Sequence, residues 1–335
     1  MEGPNLTLTY EEKVNRQYRK SIRLLLSKLP SYCRNFERYL QSTRSVHTCM
    51  QYLRDILLFY TFLSEQNPLI PIIGIRNVSL SILSELTESD FLLYRTWLFH
   101  SDEESCKEEK KKSGNKRRII ALRTFFSYLE EKGKIAENKT KILSLPRIKK
   151  RDISESRILS VEEFDKFFHQ LSDAYLYAKQ RCDQASKTDL EKTPYISIRP
   201  AMIRRDQVIS RLLAETGLHV STICAMDISH VNLNDHTITI AKKEEKSTIR
   251  ISLETTTMLD NYIHNARTQF EPTPTNHDAL FIGSKRTRIT VRSVERMIQN
   301  YSTLALGAEN SFTPRDLRTS VIAKLYFETK KGILA

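Results

Sequence analysis

A mainly α-helical chain of two domains, the second carrying one small β-sheet, is the fold class the sequence predicts. Three observations lead there. The chain has 335 residues, too many for one typical domain and enough for two that each bury a core. Up to about residue 145 apolar residues recur at three- and four-residue spacing, the helical period. Strand-like alternation is confined to two short segments between His236 and Ser252.

In the first domain Met50, Leu53, Leu57, Tyr60 and Leu63 form one helical stripe. Thr87 precedes the helical segment FLLYRTWL and is placed to accept from the first-turn amides as an N-cap. Ser101 to Asn115 is charge-dense and nearly without hydrophobes, so it reads as a solvated loop. A helix is expected from about Lys116 to Lys132, with Ile119, Leu122, Phe126 and Leu129 inward and Gly133 ending it.

The stretch PRIKKRDISES, from Pro146 to Ser156, is polar, basic and opened by proline, the composition of a linker. It divides a first domain, 1–148, from a second, 157–335, with 149–156 between them. Ser160 and Glu163 have capping-box spacing at the start of EEFDKFFHQL. A polar insertion from about Cys182 to Thr193 is followed by the helical segment IRRDQVISRLLAETGLH, which stops at Gly217. Residues 236–240 and 247–252 alternate around the polar turn 241–246 and predict a β-hairpin. Further helices are expected at about 254–268 and 291–303.

Composition narrows the partner. Lysine and arginine number 53 against 40 acidic residues, a net charge of +13, which favours a polyanion over an acidic small molecule. The apolar runs are short and interrupted by charge, and the N-terminus MEGPNLTLTYEEK has no apolar signal core, so a soluble, cytoplasmic protein without a membrane partner is expected. Cys33, Cys49, Cys106, Cys182 and Cys224 show neither CxxC nor Cys/His ligand spacing, which indicates reduced thiols and no metal site.

Several segments, in order, resemble the tyrosine recombinases of the phage-integrase type, and most closely the Xer-like recombinases of Gram-positive bacteria. AETGLHVSTICAMDISHVNL resembles the family's helix–turn–helix that presents the first catalytic arginine, and ITIAKKEEKSTIRISL the hairpin whose turn carries the catalytic lysine. ALFIGSKRTRITVRSVERMIQNY resembles the next strand-like segment and DNA-contacting helix, and FTPRDLRTSVIAKLYFET the HxLR box. GNKRRIIALRTFFSYLEEKGKIAENKT resembles the last helices of the DNA-clamping domain. The resemblance is nearly end to end. It implies an all-helical, SAM-like core-binding domain and a mixed, mainly helical catalytic domain that together close on duplex DNA.

The implied reaction is site-specific DNA strand exchange. A tyrosine attacks a phosphodiester, forms a 3′-phosphotyrosyl bond and frees a 5′-hydroxyl that later reverses the step on another strand, with no cofactor. Guanidinium forks stabilise charge on the nonbridging oxygens, and a positioned ammonium protonates the departing 5′-oxygen. Arg318 matches the second catalytic arginine and Lys243 the hairpin lysine, with Lys246 as second choice. Two positions depart from the pattern: His219 stands where the family has its first arginine, and Arg315 where it has the histidine of HxLR. The acidic residue expected three positions after the first arginine is Thr222. The resemblance puts the nucleophilic tyrosine a few tens of residues past Arg318, whereas only 17 residues follow Arg318 and Tyr326 falls in an expected core helix. No nucleophile is therefore assigned within 1–335, and this form is expected not to cleave.

For DNA, Lys110 to Lys112 and Lys116, Arg117 and Arg118 can neutralise phosphates beside a helix, and Arg147, Lys149, Lys150 and Arg151 can follow the backbone through the linker. Base readout falls to the helix opened by Thr290, with Arg292 and Arg296 four apart and Arg286 and Arg288 just before it. Two functions fit: a recombinase that assembles as a tetramer on paired sites, or a noncatalytic DNA-binding relative that regulates or assists assembly.

Overall fold

A computed structural model describes the chain apart from residues 1–9, 68, 101–107, 146–156, 187–188, 190–191, 194, 243–244 and 334–335. It divides into two compact units, Met1–Lys150 and Arg151–Ala335, each with its own hydrophobic core.

The described residues of the first unit are helical, without a strand: α1 (Tyr10–Leu26), α2 (Cys33–Gln41), α3 (Val46–Gln66), α4 (Leu69–Ile73), α5 (Leu80–Glu85), α6 (Glu88–His100) and α7 (Glu108–Glu131). Helix α3 is the axis. Of the expected stripe, Met50, Leu53, Tyr60 and Leu63 are buried and Leu57 is half-buried, while Ile56, Phe59 and Phe62 are buried too. A helix apolar nearly all round belongs inside a bundle. Phe59 lies edge-on to Tyr94, with ring centroids 5.1 Å apart, and to Phe126 at 6.0 Å, which locks α3 to α6 and α7. Burying each such ring contributes about 1.5–3 kcal/mol.

Helix α7 corrects the expected loop over 108–115, and 101–107 lie outside the described residues. Helix runs from Glu108, and Asn115 is buried, donating to the Leu98 carbonyl at 2.9 Å. The end of α7 is as expected: Gly133 takes φ +61° and the Lys134 amide returns to the Leu129 carbonyl at 2.8 Å. Thr87 marks the start of α6, but with roles reversed. The Asp90 carboxylate accepts from the Thr87 amide at 2.7 Å and hydroxyl at 2.8 Å.

The second unit opens with α8 (Val161–Gln184), whose capping box is formed in full: the Glu163 amide donates to Ser160 Oγ at 3.3 Å and the Ser160 amide to Glu163 Oε2 at 3.0 Å. Helix α8 packs on α9 (Tyr195–Thr216), the core helix, which ends at Gly217 with φ +61°. The short α10 (Val220–Ala225) leads to an antiparallel sheet of β1 (Val231–Asn232), β2 (Thr237–Lys242) and β3 (Glu245–Arg250), in the order β1-β2-β3. The pairing runs from Thr237 with Arg250 to Lys242 with Glu245, so the strands reach further into the 241–246 segment than expected. Helix α11 (Leu253–Asn261) continues through irregular turns to Phe270, and α12 (Val291–Leu306) and α13 (Pro314–Ile333) complete the unit. Among the described residues no helix is long and apolar enough to cross a membrane.

Candidate functional site

His219 and Arg318 are 99 residues apart in sequence, and the fold brings their side chains together. His219 is the N-cap residue of α10, set just past the left-handed turn at Gly217. That turn lies against α13: a β-carbon at Gly217 would be 3.5 Å from Ile322 and 3.6 Å from Val321. Arg318, one turn back along α13, reaches the imidazole with Nη1 2.7 Å from Nδ1. A guanidinium has donors only, so the imidazole nitrogen is the acceptor. Arg318 Nε–H is shielded from solvent and meets no acceptor, and no carboxylate pairs with Arg318, among the described residues. The site therefore holds a cation whose charge no neighbouring acid cancels.

Arg315 precedes Arg318 by three residues on α13, hence on the same side of the helix. It is exposed. Thr222, on α10, is half-buried. Lys243 lies outside the described residues, as do the side chains of Lys246 and Tyr326.

The expected DNA-contacting residues divide into two groups. Arg292 and Arg296 are exposed on the first turns of α12, whose cap is formed by Thr290 Oγ accepting from the Ser293 amide at 3.1 Å. Arg286 holds a left-handed φ of +61° and pairs with exposed Glu271 at 2.9 Å. An exposed pair of this kind is worth little, so a phosphate can displace it. Lys116 is half-buried.

Arg288 corrects its expected place among the base readers. Its side chain is 10% exposed, donates to the Met226 carbonyl at 2.6 Å and the Cys224 carbonyl at 3.2 Å, and pairs with Asp227. It thus satisfies carbonyls at the end of α10 and ties the arm leading into α12 to the helix that presents His219. Arg117 is likewise engaged inside the first unit, 2.9 Å from buried Asp55 and donating to Gln51 at 3.1 Å, and Arg118 donates to Asn115 at 2.9 Å. Lys149, Lys150, Arg147 and Arg151 lie outside the described residues, as do the side chains of Lys110 to Lys112.

Sequence reasoning passed over Arg199, Arg205 and Asp206 on α9. The last two form a buried pair at 2.6 Å, and together with Arg199 they line a cavity beside Arg292 and Arg296. The visible signal was the adjacent arginine and aspartate in a segment otherwise spaced for a core helix.

Known proteins resemble this chain in sequence and fold. Residues 190–329 match the phage integrase family. The tyrosine recombinase XerC of Chlamydia caviae is 26% identical over 286 residues, covering 83% of this chain and 80% of its own length. The tyrosine recombinase XerS of Streptococcus equi subsp. equi is 25% identical over 331 residues, covering 93% and 90%. Among solved structures, XerH site-specific recombinase bound to its difH substrate in a pre-cleavage complex has a TM-score of 0.54 at 16% identity, over 100% of this chain and 92% of that one. A lambda integrase tetramer bound to a Holliday junction gives 0.53 at 15%, over 89% and 70%. The ordered motifs, the helical fold with its small sheet and these matches agree: residues 190–329 match the phage integrase family, and the chain is similar along most of its length to tyrosine recombinases.

Proposed function

We propose that this protein carries out site-specific recombination of duplex DNA in the cytoplasm, through a 3′-phosphotyrosyl intermediate and as a tetramer on paired sites. The observation that carries the reading is the meeting of Arg318 with His219, 2.7 Å apart and 99 residues distant in sequence, in a site where no acid among the described residues pairs with the arginine. A cation held against a neutral acceptor is primed for an anion, and a phosphodiester approaching a transition state gains negative charge on its nonbridging oxygens. Arg318 supplies the bidentate fork and His219 a single hydrogen bond, while exposed Arg315 can swing to the same oxygens. In this reaction a tyrosine oxygen, to which no residue within 1–335 is assigned, attacks phosphorus, the bond from phosphorus to the 5′-oxygen breaks, and Lys243 gives the departing oxygen its proton.

DNA reaches the site held by basic side chains. Arg292 and Arg296 project from α12 and enter the major groove, with Arg286 released from Glu271 to a phosphate. Lys116, Lys149 and Lys150 add phosphate contacts. Arg288, Arg117 and Arg118 serve the fold.

A second reading, a noncatalytic DNA-binding relative, is favoured by one feature: His219 and Arg315 give the site a different set of cations from the family's. One experiment separates the two. A nicked suicide duplex is incubated with the protein in the longest form its coding region specifies. A covalent protein–DNA adduct that disappears in Arg318→Ala supports recombination. Salt-sensitive duplex binding without an adduct supports the binder, and absence of duplex binding removes both.

A further inference from the structure

Between α9 and α12 lies a cavity of about 420 Å3, outside the recombination chemistry and bordered by the two arginines proposed as base readers. Arg199, from α9, and Arg292 and Arg296, from α12, line it together with the Arg205–Asp206 pair and Tyr301.

The charges do not balance. Asp206 is the one carboxylate in the lining, and it is taken: Arg205 donates to it through Nε at 2.9 Å and Nη2 at 2.6 Å while Nη1 reaches the Ile282 carbonyl at 2.7 Å. Arg205 and Asp206 are both buried, so this pair forms a neutral, rigid floor. Arg199 feels Asp206 only at longer range and makes its close contacts with aromatic groups. Its guanidinium carbon is 5.6 Å from the Tyr195 ring centroid and Nη2 is 3.5 Å from the Tyr301 hydroxyl. Among the described residues no carboxylate pairs with Arg199, Arg292 or Arg296. Three guanidinium groups around one concavity repel one another, and a multiply charged anion that accepts from several forks relieves this.

We propose that the cavity is an anion site for a single phosphoryl group, held chiefly by Arg199 and Arg296 while Arg292 stays at its mouth. The phosphoryl group belongs either to the DNA backbone beside the bases that α12 faces or to a free phosphate. The backbone source rests on the proposed DNA function, and the free source does not. On this assignment Arg296 positions the duplex rather than reading it, and Arg199 becomes a DNA contact.

The test uses Arg199→Gln and Arg296→Gln in the full chain, with Arg199→Lys as a charge-preserving control and circular dichroism to verify the fold. Duplex affinity is measured between 50 and 200 mM salt. Each phosphate contact contributes about 0.9 to the salt slope, so each glutamine variant should have a deficit about 3.5-fold larger at 50 than at 200 mM. Replacing one backbone phosphate by a neutral methylphosphonate should cost the wild type the same amount and the variants nothing more. In the other arm, inorganic phosphate and pyrophosphate are titrated calorimetrically. Saturable binding to wild type that is lost in Arg199→Gln, with an unchanged DNA slope, assigns the site to a free phosphate. If wild type binds DNA steeply with salt while both variants keep its slope and no phosphate binds, this inference fails and the DNA function stands. If wild type binds no DNA but does bind pyrophosphate through Arg199, the reverse holds.

Discussion

Replacing Arg288 by alanine separates an arginine that builds the fold from its exposed neighbours. The side chain is 10% exposed and its partner Asp227 26% exposed. Removing one member of a fully buried pair costs about 3–5 kcal/mol, because the other charge is left without a partner. Water reaches Asp227 in part and lowers that figure. The loss of charged donors to the Cys224 and Met226 carbonyls raises it. These opposing corrections leave about 3 kcal/mol, which in a unit of this size is about 6–12 °C in melting temperature. The chain supplies its own control, since its single tryptophan, Trp97, is in the first unit. Calorimetry or circular dichroism should show the second unit melting early while Trp97 fluorescence reports an unmoved first unit. Arg292→Ala, at an exposed position, should change stability by less than about 0.5 kcal/mol and weaken binding to the preferred DNA site. The reasoning is refuted if Arg288→Ala keeps full stability and loses site preference as Arg292→Ala does.

Burial pushes the Asp55 carboxyl up to about 6 against the pull of Arg117. The folded state then holds its proton more tightly than the unfolded state, so first-unit stability should fall by up to about 3 kcal/mol as pH rises from 4 to 6 and level off above. Asp55→Asn should flatten that profile in urea titrations followed by Trp97 emission, and stability rising across the window would contradict the assignment. Gly133→Ala and Gly217→Ala both force φ +61° on an L-residue, at about 1–2 kcal/mol each. Only Gly217→Ala should also impair DNA cleavage, since it alone adjoins His219; equal loss of activity in both would indicate a general stability effect. Ser160→Ala should cost about 1 kcal/mol through the lost cap of α8, and no change in second-unit unfolding would show that the cap contributes nothing.

Local chemistry was legible in the sequence where neighbours along the chain decide the outcome. Ser160 with Glu163, Gly133 after α7, Gly217 after α9 and the strands around the hairpin depend on residues a few positions away. The helix at 108–115 was hidden by the run of charge, and one of its anchors is distant in sequence: Asn115 finds its acceptor on α6. The arginines were legible as cations but not as inward or outward ones. Arg288 is decided by Asp227, 61 positions earlier, and Arg117 by Asp55 and Gln51 on another helix. No period or motif carries such information. The meeting of Arg318 and His219 was reached only through the family resemblance, because composition and spacing do not bring positions 99 residues apart together.

On the proposed reading, histidine at 219 changes what Arg318 faces. Two guanidinium groups about 4 Å apart would repel by about 4 kcal/mol at an effective dielectric constant near 20, a cost that only an incoming phosphate offsets. The imidazole replaces that repulsion by an accepted hydrogen bond, at 2.7 Å to Nδ1, and so fixes the guanidinium ahead of any ligand. The same exchange removes one fork from the phosphate, and a single imidazole hydrogen bond is weaker than a bidentate charged contact. Preorganisation is thus gained where charge is lost. Arg315, three residues before Arg318 on α13 and exposed, is the cation proposed to restore the balance once a phosphate provides the attraction. The site then works with its second cation recruited by the substrate rather than built in, which ties its competence to how firmly α12 and the basic surfaces hold the DNA.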